Sequence, residues 1–158
     1  MTAERITPLE PRKFFSGIWR GTGEMLPSRL NGWFLRREEV RFESRPLWLS
    51  EVTWKVEESF EFSSGKIIER RMFAELVTFN SVRITAEDMP QGAEIILHEH
   101  GFSFTPYYIL GDFAGRKWRL RCLDNNRLDE KGIIHDEVKM FYFGLPVAEM
   151  KLTVRVER

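Results

Sequence analysis

Glu58 is the residue in this chain whose surroundings most invite chemistry. It lies in the segment from Val52 to Phe62, where Val52, Trp54, Val56, Phe60 and Phe62 fall on one face of a strand. Thr53, Lys55, Glu57, Ser59 and Glu61 fall on the other face, so Glu58 alone shares the parity of the apolar set. A carboxylate turned inward among Trp54, Val56 and Phe60 is costly unless a cation, a ligand or a proton relieves it. Arg70 and Arg71 on the following segment are the nearest candidate partners, and Arg119 or Arg121 could approach from another strand. One reading makes Glu58 and an arginine the polar anchor for a ligand head group. The other places Glu58 at a rim or on a bulge that turns it outward.

The remaining candidates carry weaker signals. His98 and His100 share one strand face, but no third ligand stands in register with them, and His135, Asp112, Asp136 and Glu137 have no spacing that fixes a metal site. Exposed strand histidines are the preferred reading, and no metal is expected. Cys122, the one cysteine, lies between Leu120 and Leu123 and reads as a buried thiol. Acid/base chemistry would fall to Glu58, His98, His100 or His135 beside a substrate. The chain has no Gly-x-Ser-x-Gly elbow, no phosphate-binding glycine loop and no His-Glu-x-x-His sequence, so a binding role is favoured over an enzymatic one.

Positioning such residues falls to strands. From Ile18 onward the apolar residues recur with a period of two more often than 3.6, which is the strand signature. Ten strands are expected, over 17–25, 32–43, 52–62, 66–73, 78–87, 93–100, 102–110, 117–123, 133–143 and 147–157. Their separators carry turn chemistry: Ser63-Ser64-Gly65, 88–92, Gly101, 111–115, 124–132 and 144–146. The last segment puts Ala148, Met150, Leu152, Val154 and Val156 on a dry face, and Glu149, Lys151, Thr153, Arg155 and Glu157 on a wet one. Closing such a sheet removes exposed edges, so a single antiparallel barrel is expected, with a sandwich or half-open sheet as the alternative. Residues 1–12 read as a polar N-terminal arm with Pro8 and Pro11, and 13–158 as the barrel domain. A short helical turn around Arg12 to Phe15 ends at Gly17.

Composition bounds the function classes. The chain has 158 residues, 42% of them apolar, which is enough for one domain with a core of its own. Its 24 Lys and Arg balance 24 Asp and Glu, so nothing in the total argues for nucleic acid or an anionic surface. The basic groups Arg36, Arg37 and Arg41, and Arg116, Lys117, Arg119 and Arg121, read as solvated strand faces. No apolar run is long enough for a transmembrane helix, and the N-terminal residues lack the apolar region of a signal peptide. No membrane insertion and a cytoplasmic location are the resulting expectations.

The run Phe14-Phe15-Ser16-Gly17-Ile18-Trp19-Arg20-Gly21-Thr22-Gly23 resembles the opening of lipocalin-like, or calycin, barrels. That resemblance implies an all-β barrel whose Gly17 and Trp19 close one end, with Arg155 or Arg158 as the packing arginine. The Trp-Arg-Gly-x-Gly version is similar to haem-binding nitrobindins. The segment from Gly144 to Leu152 has no histidine where that family places its haem ligand, and no cofactor is expected. Phe60 to Phe73, Ile84 to Ala93 and Met140 to Glu149 resemble an uncharacterised bacterial lipocalin-like family with a Phe-Gly-x-x-x-x-Glu ending.

A calycin barrel commonly encloses a cavity lined by alternate residues of its strands. Trp33, Trp54, Phe60, Phe73, Phe102, Phe104, Trp118 and Tyr142 are the aromatic candidates for such a lining, with Glu58 and Arg71 among them as polar contacts. They serve equally to clasp a small apolar or amphipathic ligand or to fill a solid core. Binding or carriage of such a ligand is the leading expectation, with a small-molecule enzyme or a filled protein-binding barrel as alternatives. Phe141 and Phe143, opposite Met140 and Tyr142, place aromatics on both faces of one strand and suggest a helix lid or a homodimer contact.

Overall fold

A computed structural model describes residues 5–28, 36–113 and 116–158. The chain enters through helix α1 (Pro11–Phe14), where Pro11 occupies the first turn and lacks the N–H that would otherwise be left unpaired. Eleven strands follow among the described residues: β1 (Ile18–Pro27), β2 (Glu38–Trp48), β3 (Thr53–Phe62), β4 (Ile67–Thr78), β5 (Ser81–Ala86), β6 (Met89–His98), β7 (Gly101–Phe104), β8 (Tyr107–Phe113), β9 (Arg116–Leu128), β10 (Ile134–Tyr142) and β11 (Leu145–Glu157).

They form one antiparallel sheet in the order β10-β11-β1-β2-β3-β4-β5-β6-β7-β9, and a further pairing of β9 with β10 closes it into a barrel. The segments β7 and β8 are two lengths of one stave. Both run antiparallel to β9, β7 against its second half and β8 against its first. The break falls at Thr105-Pro106, where proline supplies no N–H for the ladder. The barrel therefore has about ten staves, as the period-two pattern implies.

Several expected boundaries move: β4 runs past 73 to Thr78, β6 begins at Met89 within the expected 88–92 turn, β8 runs to Phe113, and β9 and β2 run on beyond their expected ends. The stretch 124–132 reads as turn because of its Asp, Asn and Gly, yet β9 continues to Leu128. Leu120, Cys122, Asp124, Asn126 and Leu128 keep the inward parity, and ladder pairing with β10 outweighs the turn preference of Asp and Asn. The second strand is expected over 32–43. Its start lies outside the described residues, and β2 runs on to Trp48 through Pro46.

One end of the barrel is plugged by aromatic packing. Phe15 stacks on Trp19 at 5.6 Å and on Trp54 at 5.3 Å, while Trp48 stacks on Trp54 at 4.2 Å. Phe14 meets Trp19 and Phe102 edge-on. Each ring buried here contributes about 1.5–3 kcal/mol by leaving water. The polar ends are satisfied too: the indole N–H of Trp48 donates to Phe15 O at 2.7 Å, and that of Trp19 to Ser16 O at 3.1 Å.

Arg158 donates to Lys13 O and Phe14 O, tying the end of the chain to the helix. Arg155 does not take that place. It pairs with Arg20 across the β1–β11 ladder and is exposed on the outer wall, because β11 alternates and Val154 and Val156 carry the inward parity. Gly17 lets the chain turn from the helix into β1: its φ is +73°, and a Cβ there would lie 2.2 Å from Glu157 O. The residues before the helix pack as well, with Pro8 buried and Ile6 against the core.

Candidate ligand cavity

The strands border an open cavity of about 1360 Å³, lined by their inward residues and, toward solvent, by outward ones such as Ile67, Arg71 and Phe73; sites for small molecules typically span roughly 300–1,000 Å³. Phe15, Trp19, Trp54 and Phe102 from the plug form its floor. Phe42, Phe60, Met72, Ile84, Phe104 and Met140 furnish apolar wall, and Phe42 and Phe60 lie 5.1 Å apart. Lys66, Asp112 and Lys117 stand at the other end, beside the β3–β4 connection, where Lys66 Nζ donates to Asp112 O at 2.9 Å.

Set into this wall is a cluster of ionisable groups. Glu58 is inward-facing and nearly buried, at 13% exposure, as its parity implies. Arg70, directly across the β3–β4 ladder, places Nη1 3.6 Å from Glu58 Oε2. The same guanidinium holds Asp88 at the β5–β6 turn: Nε lies 2.8 Å from Oδ2, at ion-pair distance although its N–H is not aimed at that oxygen, and Nη2 donates to Oδ1 at 3.3 Å.

On the β9 and β10 wall, Asp124 accepts from Tyr107 Oη at 2.9 Å and from Asn126 Nδ2 at 3.0 Å. It also shares a hydrogen bond with the carboxyl of Asp136. Asp136 Oδ1 is buried with no hydrogen-bond partner among the described residues.

Burial governs the proton affinities. It raises Glu58 to about 7 against the attraction of Arg70, with Asp124 and Asp88 adding to the rise. Burial also raises Asp124 and Asp136, and Asp136 the further, since the neighbouring Asp124 charge disfavours a second anion. That repulsion favours one proton shared within the pair, which keeps a single negative charge. Burial works against the Arg70 charge, but Glu58 and Asp88 outweigh it and the guanidinium stays cationic. The Tyr107 phenol is pushed well up by burial and by Asp124, so it remains a donor.

The other sequence candidates fall in several places. Trp54 and Phe102 belong to the floor, and Phe60 and Phe104 to the wall. Arg71 and Phe73 carry the outward parity of β4 and are largely exposed, with 86% of the Arg71 side chain in solvent, so they border the cavity without lying in its buried interior. Strand parity explains this, since their neighbours Arg70 and Met72 point inward. Trp118 and Tyr142 pack on one another at 4.8 Å, half-buried beside the core and away from the cavity wall. Trp33 lies outside the described residues.

His98 and His100 are exposed, and His135 points outward to Asp129 at 2.9 Å. Among the described residues no three His, Cys, Asp or Glu side chains are grouped so as to hold a metal ion, and no helix is long and apolar enough to cross a membrane. Phe141 is half-buried, while Phe143 projects from the β10–β11 turn.

Sequence reasoning missed Asp88, Tyr107, Asp124 and Asn126 as site residues. For Asp124 and Asn126 the signal was present in the unbroken parity of Leu120, Cys122 and Leu128. Asp88 carried none, because an aspartate in a turn is ordinary chemistry.

No protein-family model matches the chain, and no curated protein matches it. Solved structures do. An S-type phycobiliprotein lyase from Guillardia theta is similar with a TM-score of 0.66 at 10% identity, over 98% of this chain and 94% of that one. The Rv2717c protein from M. tuberculosis is similar with a TM-score of 0.62 at 12% identity, over 98% of this chain and 100% of that one. These likenesses show the fold alone, a closed antiparallel β-barrel of lipocalin-like form. Such a barrel, with this cavity, can enclose a small molecule.

Proposed function

We propose that this protein binds or carries a small amphipathic molecule inside the barrel, with Glu58 and Arg70 as polar anchor. The observation that carries the reading is the coincidence of a cavity of about 1360 Å³ with buried ionisable groups set in an otherwise apolar wall. A filled barrel has no need of Glu58, whose burial costs stability. In a ligand site the same residue supplies orientation and selectivity. The similar protein is, by its name, a phycobiliprotein lyase, and its likeness supports the barrel rather than any particular ligand.

Native mass spectrometry of the freshly purified protein, followed by denaturing analysis of released material, tests the proposal. A small molecule bound one to one is the expected result. No adduct, together with no thermal stabilisation by the neutral probe pyrenemethanol, would overturn it.

A second reading is favoured by one observation. Glu58 titrates near 7 beside the cavity and the Asp124–Asp136 pair, which suits it to exchange a proton with a bound substrate. Chemical conversion of the released molecule on incubation with the protein, lost in Glu58→Gln, would favour an enzyme over a carrier.

A further inference from the structure

The polar contacts inside the cavity are unevenly matched, and the mismatch has a sign. Glu58, Asp88, Asp124 and Asp136 present four carboxyl groups, and among the described residues Arg70 is the cation set between them, while Arg36, Lys66, Arg71 and Lys117 also border the cavity. The interior donors are already committed. Arg70 faces Glu58 at 3.6 Å and Asp88 at 2.8 Å, the Tyr107 hydroxyl donates to Asp124, and so does the Asn126 amide. Two buried valences of the cluster lack a hydrogen bond among the described residues: Arg70 Nε, which Asp88 Oδ2 already holds at ion-pair distance of 2.8 Å, and the acceptor Asp136 Oδ1 on the β10 wall, which no cation faces. Lys66 and Lys117 stand at the solvent end rather than beside this pair.

A ligand carboxylate entering this space would find acids on both walls, and the one guanidinium among them already held by Glu58 and Asp88. A ligand N–H would find Asp136 Oδ1 waiting and Asp124 beside it, in a setting where water is displaced and a charge-assisted bond is strong. Even with one proton shared by Asp124 and Asp136 and another on Glu58, the cluster keeps an excess of negative charge over Arg70.

From this geometry we infer that the ligand is an apolar body bearing a protonated amine or other cationic N–H donor, received by Asp136 and Asp124 on the β9–β10 wall. The inference rests on the proposed ligand-binding role, narrows the ligand from an amphipath of either charge to a cationic one, and moves its head group from the Glu58–Arg70 pair to the β9–β10 wall. Asp124 and Asp136 become the specificity-determining residues. Glu58, Arg70 and Asp88 form a neutralised group on the facing wall, which keeps an anionic head group from finding a cation of its own.

Three probes of one shape test it: pyrenemethylamine, pyrenemethanol and pyrenecarboxylic acid, titrated into the intact protein at physiological salt with tryptophan and pyrene fluorescence as readout. The amine should bind at least about tenfold more tightly than the alcohol, and the acid more weakly than either. In Asp136→Asn, which preserves shape, the advantage of the amine over the alcohol should shrink severalfold while the alcohol's affinity holds. Circular dichroism verifies that this variant is folded, and the comparison on the unaltered protein does not depend on it.

Acid binding equal to or tighter than amine would overturn the inference while leaving the cavity's binding role intact. So would an unchanged amine preference in folded Asp136→Asn. If the neutral alcohol also fails to bind, the ligand-binding role itself falls, and the charge preference with it.

Discussion

Arg70 Nη1 lies 3.6 Å from Glu58 Oε2 inside the barrel, across adjacent positions of the β3–β4 ladder. Two long side chains of opposite charge are thereby held in an apolar wall, where a carboxylate without a cation beside it is costly. Removing the cation by Arg70→Leu should cost about 3 kcal/mol, because a buried carboxyl then loses its counter-charge. Replacing both, in Arg70→Leu with Glu58→Leu, should restore most of that loss. Urea unfolding of the two single variants and the double variant measures the coupling. Simple additivity would show that the pair does not interact in solution.

Stability should fall as pH rises through the neutral range, and Glu58 should be a principal cause. Its folded value is about 7 against an ordinary 4.5, so the folded chain binds this proton more tightly than the unfolded chain. The resulting stabilisation is complete below the unfolded value and is lost as pH climbs from there through about 7. Over that window the contribution is about 3 kcal/mol. Asp124 and Asp136 are raised as well and act in the same direction, so the informative quantity is a difference. Unfolding free energies of the native chain and Glu58→Gln, compared between about pH 5 and about pH 8, should converge toward acid and diverge toward base in favour of the variant.

Gly17 should tolerate no side chain. With φ at +73° and Glu157 O 2.2 Å from the site of a Cβ, Gly17→Ala both strains the backbone and pushes β1 from β11 at the plugged end. A loss of about 2 kcal/mol or more is expected, with weakening of the near-ultraviolet dichroism from Trp19, Trp48 and Trp54. A melting temperature unchanged from that of the native chain would count against this account of the plug.

Cys122 should be inert in the folded protein. It is 1% exposed, and burial pushes its thiol up to about 12, with the Asp124 charge adding to the rise. Iodoacetamide followed by intact mass should leave it unmodified in native buffer and alkylate it once urea unfolds the chain. Prompt modification under native conditions would mean that the β9 wall opens to solvent.

How much of this was legible in the residues themselves varies by level. Period-two alternation from Ile18 onward and the turn residues between segments carry an all-β barrel of about ten strands, because inward and outward faces are written into the side chains. The same alternation turns Glu58 inward and, read strictly, gives Arg70 rather than Arg71 as its partner. Parity also places Phe73 outside, and the pull of an aromatic residue toward an assumed cavity is what obscured it.

What parity cannot supply is register and closure. Asp124 and Asp136 meet because β9 pairs with β10 across the seam of the barrel, and Asp88 reaches Arg70 because the β5–β6 turn folds beside β4. Whether the aromatics leave a void or fill one depends on barrel radius, which follows from how many staves close and with what stagger. The plug and the cavity therefore use the same residue types at different heights, and their separation comes from the three-dimensional path of the chain. An alternating sequence determines which side chains face inward. Only the closed barrel brings strands distant in sequence together and decides which of those side chains meet, and with what charge.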